Sequence, residues 1–192
     1  MVTFKKKIII SFMGVDGTGK TTLSKKLQKV IQDAKYLHLK PYILFLDRRT
    51  VIKNPHYQKK SSYIISFLRL LTWLISYKVF FFINRNKKTF IFDRYAHDIL
   101  IDPLRYKHSL SHKFTKFFLY FFPKPNLWIF LVSSLKTIKS RKFELPDREL
   151  KRQISDYSKF FKTQKNVLKL DTRIKKEKLI KQIVKKINNL IK

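Results

Sequence analysis

Ile8-Ile9-Ile10-Ser11-Phe12-Met13-Gly14-Val15-Asp16-Gly17-Thr18-Gly19-Lys20-Thr21-Thr22 is the stretch that decides the fold. All three glycines of the 192-residue chain fall inside it. Every other turn is made without one, so the cluster is not filler. The spacing Gly-x4-Gly-Lys-Thr is the phosphate-loop pattern, and its context agrees. An apolar run precedes it, as a buried strand would, and a helical pattern follows. Successive backbone N–H groups at a helix start form a nest for an anion, and a Cβ at the glycines is expected to obstruct the approaching phosphate. The stretch implies binding of a nucleoside triphosphate.

Outward from this loop, hydrophobic periodicity predicts strands at 5–13, 36–40, 89–92, 127–132 and 167–170. Helices are expected from Lys20 to Asp33, over 61–83, over 110–122 up to Pro123 and Pro125, and from Asp147 to Lys162. A C-terminal helix carries Ile180, Ile183, Val184, Ile187 and Ile191 on one stripe. The polar, basic segment 41–60 reads as loop. Strands alternating with helices imply an α/β fold, a parallel sheet covered on both faces, in a single domain spanning 1–192.

Composition bounds the rest. At 44% hydrophobic and 29% charged, the chain is globular rather than disordered. With no cysteine, disulfides, zinc–thiolate sites and thiol nucleophiles are excluded, which fits a cytoplasmic setting. The basic start and short apolar run mimic a leader peptide, but the phosphate loop consumes that run as a strand. The formal net charge is +32. One reading is a polyanionic partner, nucleic acid or an anionic membrane. The other is biased residue usage, since the chain is rich in Lys, Ile and Phe, has two alanines (Ala34 and Ala96), and carries far more Lys than Arg. The second reading is preferred, with weak, salt-dependent polyanion or membrane-surface contact and no specific nucleic acid. Tyr63 to Ile83 is long enough to span a bilayer, but Arg69 and Lys78 within it favour a packed helix.

Four groups of residues carry candidate chemistry. In the loop, Gly14 through Thr22 cradle phosphates, Lys20 reaches the β/γ-phosphates as a mobile charge, and Thr21 helps hold Mg²⁺. In Phe92-Asp93-Arg94-Tyr95, the carboxylate ends a buried strand at the rim where open sheets bind ligands. There Asp93 is a candidate for Mg²⁺ or an acceptor oxygen, and Arg94 for a phosphate. The alternative is a helix-capping Asp beside a solvated Arg. The basic segment Ser140 to Arg148 fits a mobile lid, with Arg141 the first candidate for developing charge and Lys142 and Arg148 after it, against a solvated surface run. Tyr95, His97, Asp98 and Arg105 are acceptor-pocket candidates, although His97 also reads as a surface residue and Asp102 as a turn cap before Pro103.

Gly14 to Thr22 together with Asp93-Arg94-Tyr95 resembles the thymidylate kinase family of P-loop kinases, including the acidic residue before the second glycine at Asp16. The resemblance spans essentially the whole chain. It implies a P-loop NTPase fold with a five-stranded parallel sheet flanked by helices, use of ATP and Mg²⁺, and often a homodimer. The family's Arg-Glu-Pro-Gly-Gly-type segment is missing: Leu39-Lys40-Pro41-Tyr42 stands in its region, with Arg48 and Arg49 further on. The run after Tyr95 looks more like a divergent bacterial thymidylate kinase-like subgroup. The expected activity is phosphoryl transfer from ATP, with thymidylate as default acceptor. A kinase for another nucleotide or a sugar- or lipid-linked acceptor is the alternative. A third reading is a nucleotide-dependent binding protein at an anionic membrane or nucleic acid.

Overall fold

Three consecutive isoleucines begin a strand with no exposed residue: β1 (Ile8–Met13) is buried on both faces. Such a strand needs neighbours on both sides, and it has them. β3 (Thr89–Asp93) pairs with one edge and β4 (Leu127–Val132) with the other. β2 (Ala34–His38) and β5 (Val167–Asp171) complete a parallel sheet in the order β2-β3-β1-β4-β5. The computed structural model describes residues 2–4, 6–41, 59–141 and 145–191.

Alternation along β1 sorts the core into two layers. Ile8, Ile10 and Phe12 join Leu23 and Leu27 of α1 (Lys20–Val30) and Ile183 and Ile187 of α6 (Lys176–Ile191) in an aliphatic cluster. Ile183 and Ile187 are wholly shielded from water, each worth roughly 1.5–3 kcal/mol of burial. An aromatic layer gathers Trp128 and Phe130 of β4 with Tyr157, Phe160 and Phe161 of α5 (Asp147–Lys162). Phe130 stacks on Phe161 at 4.5 Å. α4 (Leu135–Arg141) follows β4.

The chain divides into two compact units. The first, residues 1–38, 86–95 and 124–192, holds the sheet and all of the elements above. The second, residues 39–85 and 96–123, is helical. It contains α2 (Tyr63–Ile83), α3 (His112–Leu119) and two 3₁₀ turns, Ala96–Leu100 and Leu104–Tyr106. Ser62 caps α2 and Ser111 caps α3, each accepting from a backbone N–H at 3.3 Å. One face of α2 buries Leu70, Trp73, Tyr77 and Phe80. Arg69 is not left in an apolar setting, because its guanidinium donates to the Tyr106 and Lys107 carbonyls and to Ser61 Oγ. α2 is nonetheless long and apolar enough to cross a membrane, with a mean hydropathy of 1.6.

The boundaries of two elements depart from the sequence expectation where the backbone changes conformation. β2 begins and ends about two residues early because Asp33 (φ 57°) and Leu39 (φ 61°) bracket it. α1 stops at Val30, three residues short of expectation, because Ile31 is extended and bridges to Val2. Most of the 41–60 loop, including Tyr42, Arg48 and Arg49, lies outside the described residues.

Candidate active site

The loop between β1 and α1 is shaped by its glycines, two of which also have a packing reason that the sequence does not show. A Cβ on Gly14 would sit 2.5 Å from the Leu131 carbonyl oxygen of β4, and one on Gly17 would sit 2.9 Å from the Ile138 carbonyl of α4. The protein's own backbone forbids side chains at these two positions. Gly19 differs: a Cβ there meets no protein atom within 4 Å, and what the fold asks of the residue is its φ of 83° at the start of α1.

Lys20 follows at once, and its ammonium is drawn in over the loop. Nζ donates to the carbonyls of Gly14 (2.7 Å) and Val15 (2.8 Å) and lies 3.3 Å from Asp16 Oδ1. Thr18 Oγ1 closes the turn by donating to Val15 O at 2.7 Å. Asp16 also accepts from the Arg94 guanidinium, so one carboxylate bridges two nearly buried cations. Arg94 is held at φ 74°, a left-handed conformation unusual for a side-chain-bearing residue, while its N–H bonds Phe12 O at 2.9 Å. The sheet itself thus places Arg94 against the phosphate loop.

Parallel register assembles the second half of the site. Phe12 of β1, Asp93 of β3 and His38 of β2 are aligned partners at the C-terminal rim. Three donors converge on Asp93 Oδ2: Thr21 Oγ1 at 2.6 Å, Tyr36 OH at 3.1 Å and His38 Nδ1 at 3.2 Å. Burial pushes the Asp93 carboxyl up, but the bonds from His38 and Thr21 and the Lys20 charge outweigh it and hold the group below the usual carboxylate range. Burial and the Asp93 charge drive the Tyr36 phenol the other way, well above its ordinary value. Asp93 Oδ1 is buried and makes no hydrogen bond.

That unsatisfied oxygen is the feature that fits a cation. Mg²⁺ takes one or two protein oxygens and completes its shell with water and substrate phosphate. Asp93 and Thr21 at the edge of a phosphate nest supply such a set. Among the described residues there is no cluster of three or more His, Cys, Asp or Glu that could hold a metal alone.

The remaining sequence candidates are placed as follows. Val15 is buried in the loop and Thr22 is exposed on α1. Tyr95 is fully buried, its ring edge-on to Phe92 and Trp128, so the aromatic core accounts for it. Arg141 ends α4 one turn beyond Ile138, the residue packed on Gly17, and is exposed. Arg148 is exposed in the first turn of α5, and Lys142 lies outside the described residues. His97, Asp98 and Arg105 belong to the helical unit. His97 is buried there rather than lying on the surface. Asp98 accepts from Tyr106 OH at 2.7 Å. Asp102 accepts from the Arg105 backbone at 3.3 Å and its Nε at 3.0 Å, as a turn cap would.

Tyr36 and His38 were not among the sequence candidates. Hydroxyl and imidazole two apart at the end of a strand put both on one face, but only the β2–β3 register aims them at Asp93.

No protein-family model matches the chain, and neither does any curated protein. Solved structures do match. Deoxyadenosine kinase from M. mycoides with bound dATP is 18% identical, with a TM-score of 0.61 over 94% of this chain and 99% of that one. Thymidylate kinase from Candida albicans, described as having broad substrate specificity, is 15% identical with a TM-score of 0.63 over 97% and 94%. The fold is that of the P-loop nucleoside and nucleotide kinases. A further deoxyadenosine kinase structure, with products dCMP and dCDP, matches at 19% identity and a TM-score of 0.60 over 95% of this chain and 100% of that one. The resemblance read from the two motifs therefore holds for the fold of the P-loop kinases.

Proposed function

We propose that this chain transfers the γ-phosphoryl group of ATP to a nucleotide, with thymidylate as the default acceptor. The observation that carries the reading is the Thr21–Asp93 pair, with one carboxylate oxygen unsatisfied beside a glycine-built phosphate nest. Gly14 to Thr22 receive the triphosphate, and Lys20 leaves the Gly14 and Val15 carbonyls to meet its β/γ-oxygens. Arg94 leaves Asp16 to meet the acceptor phosphate. Asp93 stays ionised and, with Thr21, would hold Mg²⁺, which when bound would neutralise charge on the triphosphate. Arg141, one turn from the loop contact, supports charge developing on the transferred group. No covalent enzyme intermediate is required, since positioning and electrostatics carry phosphoryl transfer.

A second reading, a nucleoside hydroxyl as acceptor, is favoured by the deoxyadenosine kinase neighbours and by the missing Gly-Gly segment near Leu39. ADP release from ATP-Mg²⁺ with thymidylate, dCMP, deoxyadenosine or deoxycytidine separates the two. Stimulation by thymidylate supports the first reading, and stimulation by nucleosides alone supports the second. ATP binding without ADP release for any acceptor overturns both.

A further inference from the structure

We propose that the helical unit docks on the surface of an anionic lipid bilayer through the outer face of α2 and α3. α2 is apolar on two opposite sides. At about 100° per residue, Leu70, Trp73, Tyr77 and Phe80 point one way and are buried, while Ile64, Leu68, Ile75 and Phe82 form a stripe on the other side. That stripe is open: Ile64 is 73% and Phe82 72% exposed. α3 extends the surface. Phe67 packs against Phe114 and Phe118 at 6.2 and 5.8 Å, and beside them Phe117 is 64% exposed. Soluble chains rarely leave contiguous aromatic and aliphatic surface of this kind uncovered.

Charge decides what covers it. Among the described residues of this unit the only carboxylates are Asp98 and Asp102, and both are buried and hydrogen-bonded internally. Lys60, Lys78, Lys107, Lys113 and Lys116 of this unit are exposed, with Lys78 on α2 itself and Lys113 and Lys116 on α3. A second copy would bring the same cations against themselves without a compensating acid. A nucleic acid would want open aromatic faces and arginine, whereas Phe117 and Tyr120 each pack edge-to-face on Phe121 and the α2 stripe is aliphatic apart from Phe82. Exposed apolar side chains that share their helices with lysine, and with no exposed carboxylate among the described residues of the unit, suit the boundary between headgroups and acyl chains of an anionic leaflet. Because Trp73 and Tyr77 on the opposite side of α2 pack on Tyr106 and Phe122 of the same unit, the helix lies on the bilayer rather than across it. The proposal is independent of the phosphoryl acceptor.

The test is flotation of the full-length chain with phosphatidylglycerol–phosphatidylcholine vesicles and with phosphatidylcholine alone, at low and moderate salt. Binding is expected to the anionic vesicles. The exposed-face variant Ile64→Ser/Leu68→Ser/Phe117→Ser is expected to weaken it about tenfold or more, since inserted apolar area would be lost. The variant should keep the circular dichroism and ATP-dependent activity of the parent, which guards against misfolding. Vesicle binding unchanged by these substitutions would overturn the proposal, leaving only the long-range attraction of a +32 chain. So would no binding in a sample that light scattering shows to be a dimer, with the serines releasing monomers. So would serine-sensitive binding to polyuridylate but not to vesicles.

Discussion

Replacing Asp93 with Asn separates what that carboxylate does for the fold from what it does for chemistry. Oδ2 accepts from Thr21, Tyr36 and His38 at 2.6, 3.1 and 3.2 Å. An amide with its oxygen in that place keeps three acceptor contacts and loses the charge that strengthens them. Bonds to a charged group are worth about 1.5–3 kcal/mol against about 0.5–1.5 for neutral ones, so three weakened bonds cost about 3–4 kcal/mol at mid-range. Burying a neutral amide instead of a carboxylate returns part of this. A net loss of about 1–2 kcal/mol corresponds to a Tm drop of about 2–8 °C. Chemistry should suffer more, because the amide cannot offer a second anionic oxygen to Mg²⁺, and losing one preorganised electrostatic partner costs about 10²–10³ in turnover. Thermal unfolding and ADP release at saturating Mg²⁺ read the two effects on one sample. Turnover within about threefold of the parent would refute the assignment of Asp93, whatever the change in Tm.

Lys20→Ala should abolish nearly all turnover while leaving the chain folded but about 1–3 kcal/mol less stable, since the buried Gly14 and Val15 carbonyls lose a donor; denaturant unfolding beside the activity assay checks this, and retained turnover would sink the mechanism. Gly19→Ala should cost about 1–2 kcal/mol, the strain of a left-handed alanine in open space. Gly14→Ala should cost visibly more, because the Leu131 carbonyl must also move, and equal Tm losses for the two would contradict the geometry. His108 predicts a pH dependence: burial, then the Arg69 and Lys60 charges, lowers its imidazole from 6.5 to about 4. The unfolded chain therefore binds the extra proton first, so stability is full above pH 6.5 and falls towards pH 4, by at most about 3 kcal/mol. Unfolding curves across that window should slope, and His108→Gln should flatten them.

The fold was legible because its signals are local. Glycines between an apolar run and a helical pattern could be read at once, and Asp147 to Lys162 is a helix with the expected ends. Half of the site was legible for the same reason, since Gly14 to Thr22 is contiguous and Asp93 closes a recognisable strand. What was hidden depends on pairing at long range. Nothing local links Asp16 to Arg94, 78 positions away, or His38 to Asp93, 55 away. Those contacts exist only once β1, β2 and β3 take their register. The packing role of Gly14 and Gly17 was hidden as well, because the carbonyls of Leu131 and Ile138 that crowd them come from β4 and α4.

That crowding bears on how such a chain would decay. A descendant that no longer used a nucleotide would still be selected to keep Gly14 and Gly17, since side chains there collide with β4 and α4 whether or not a phosphate ever arrives. Lys20 and Asp93 carry no such steric obligation, only the hydrogen bonds described above, and would drift sooner than the two glycines. If the chain is the kinase proposed above, retirement from catalysis would therefore be written at Lys20 and Asp93, while Gly14 and Gly17 survived as a fossil of packing.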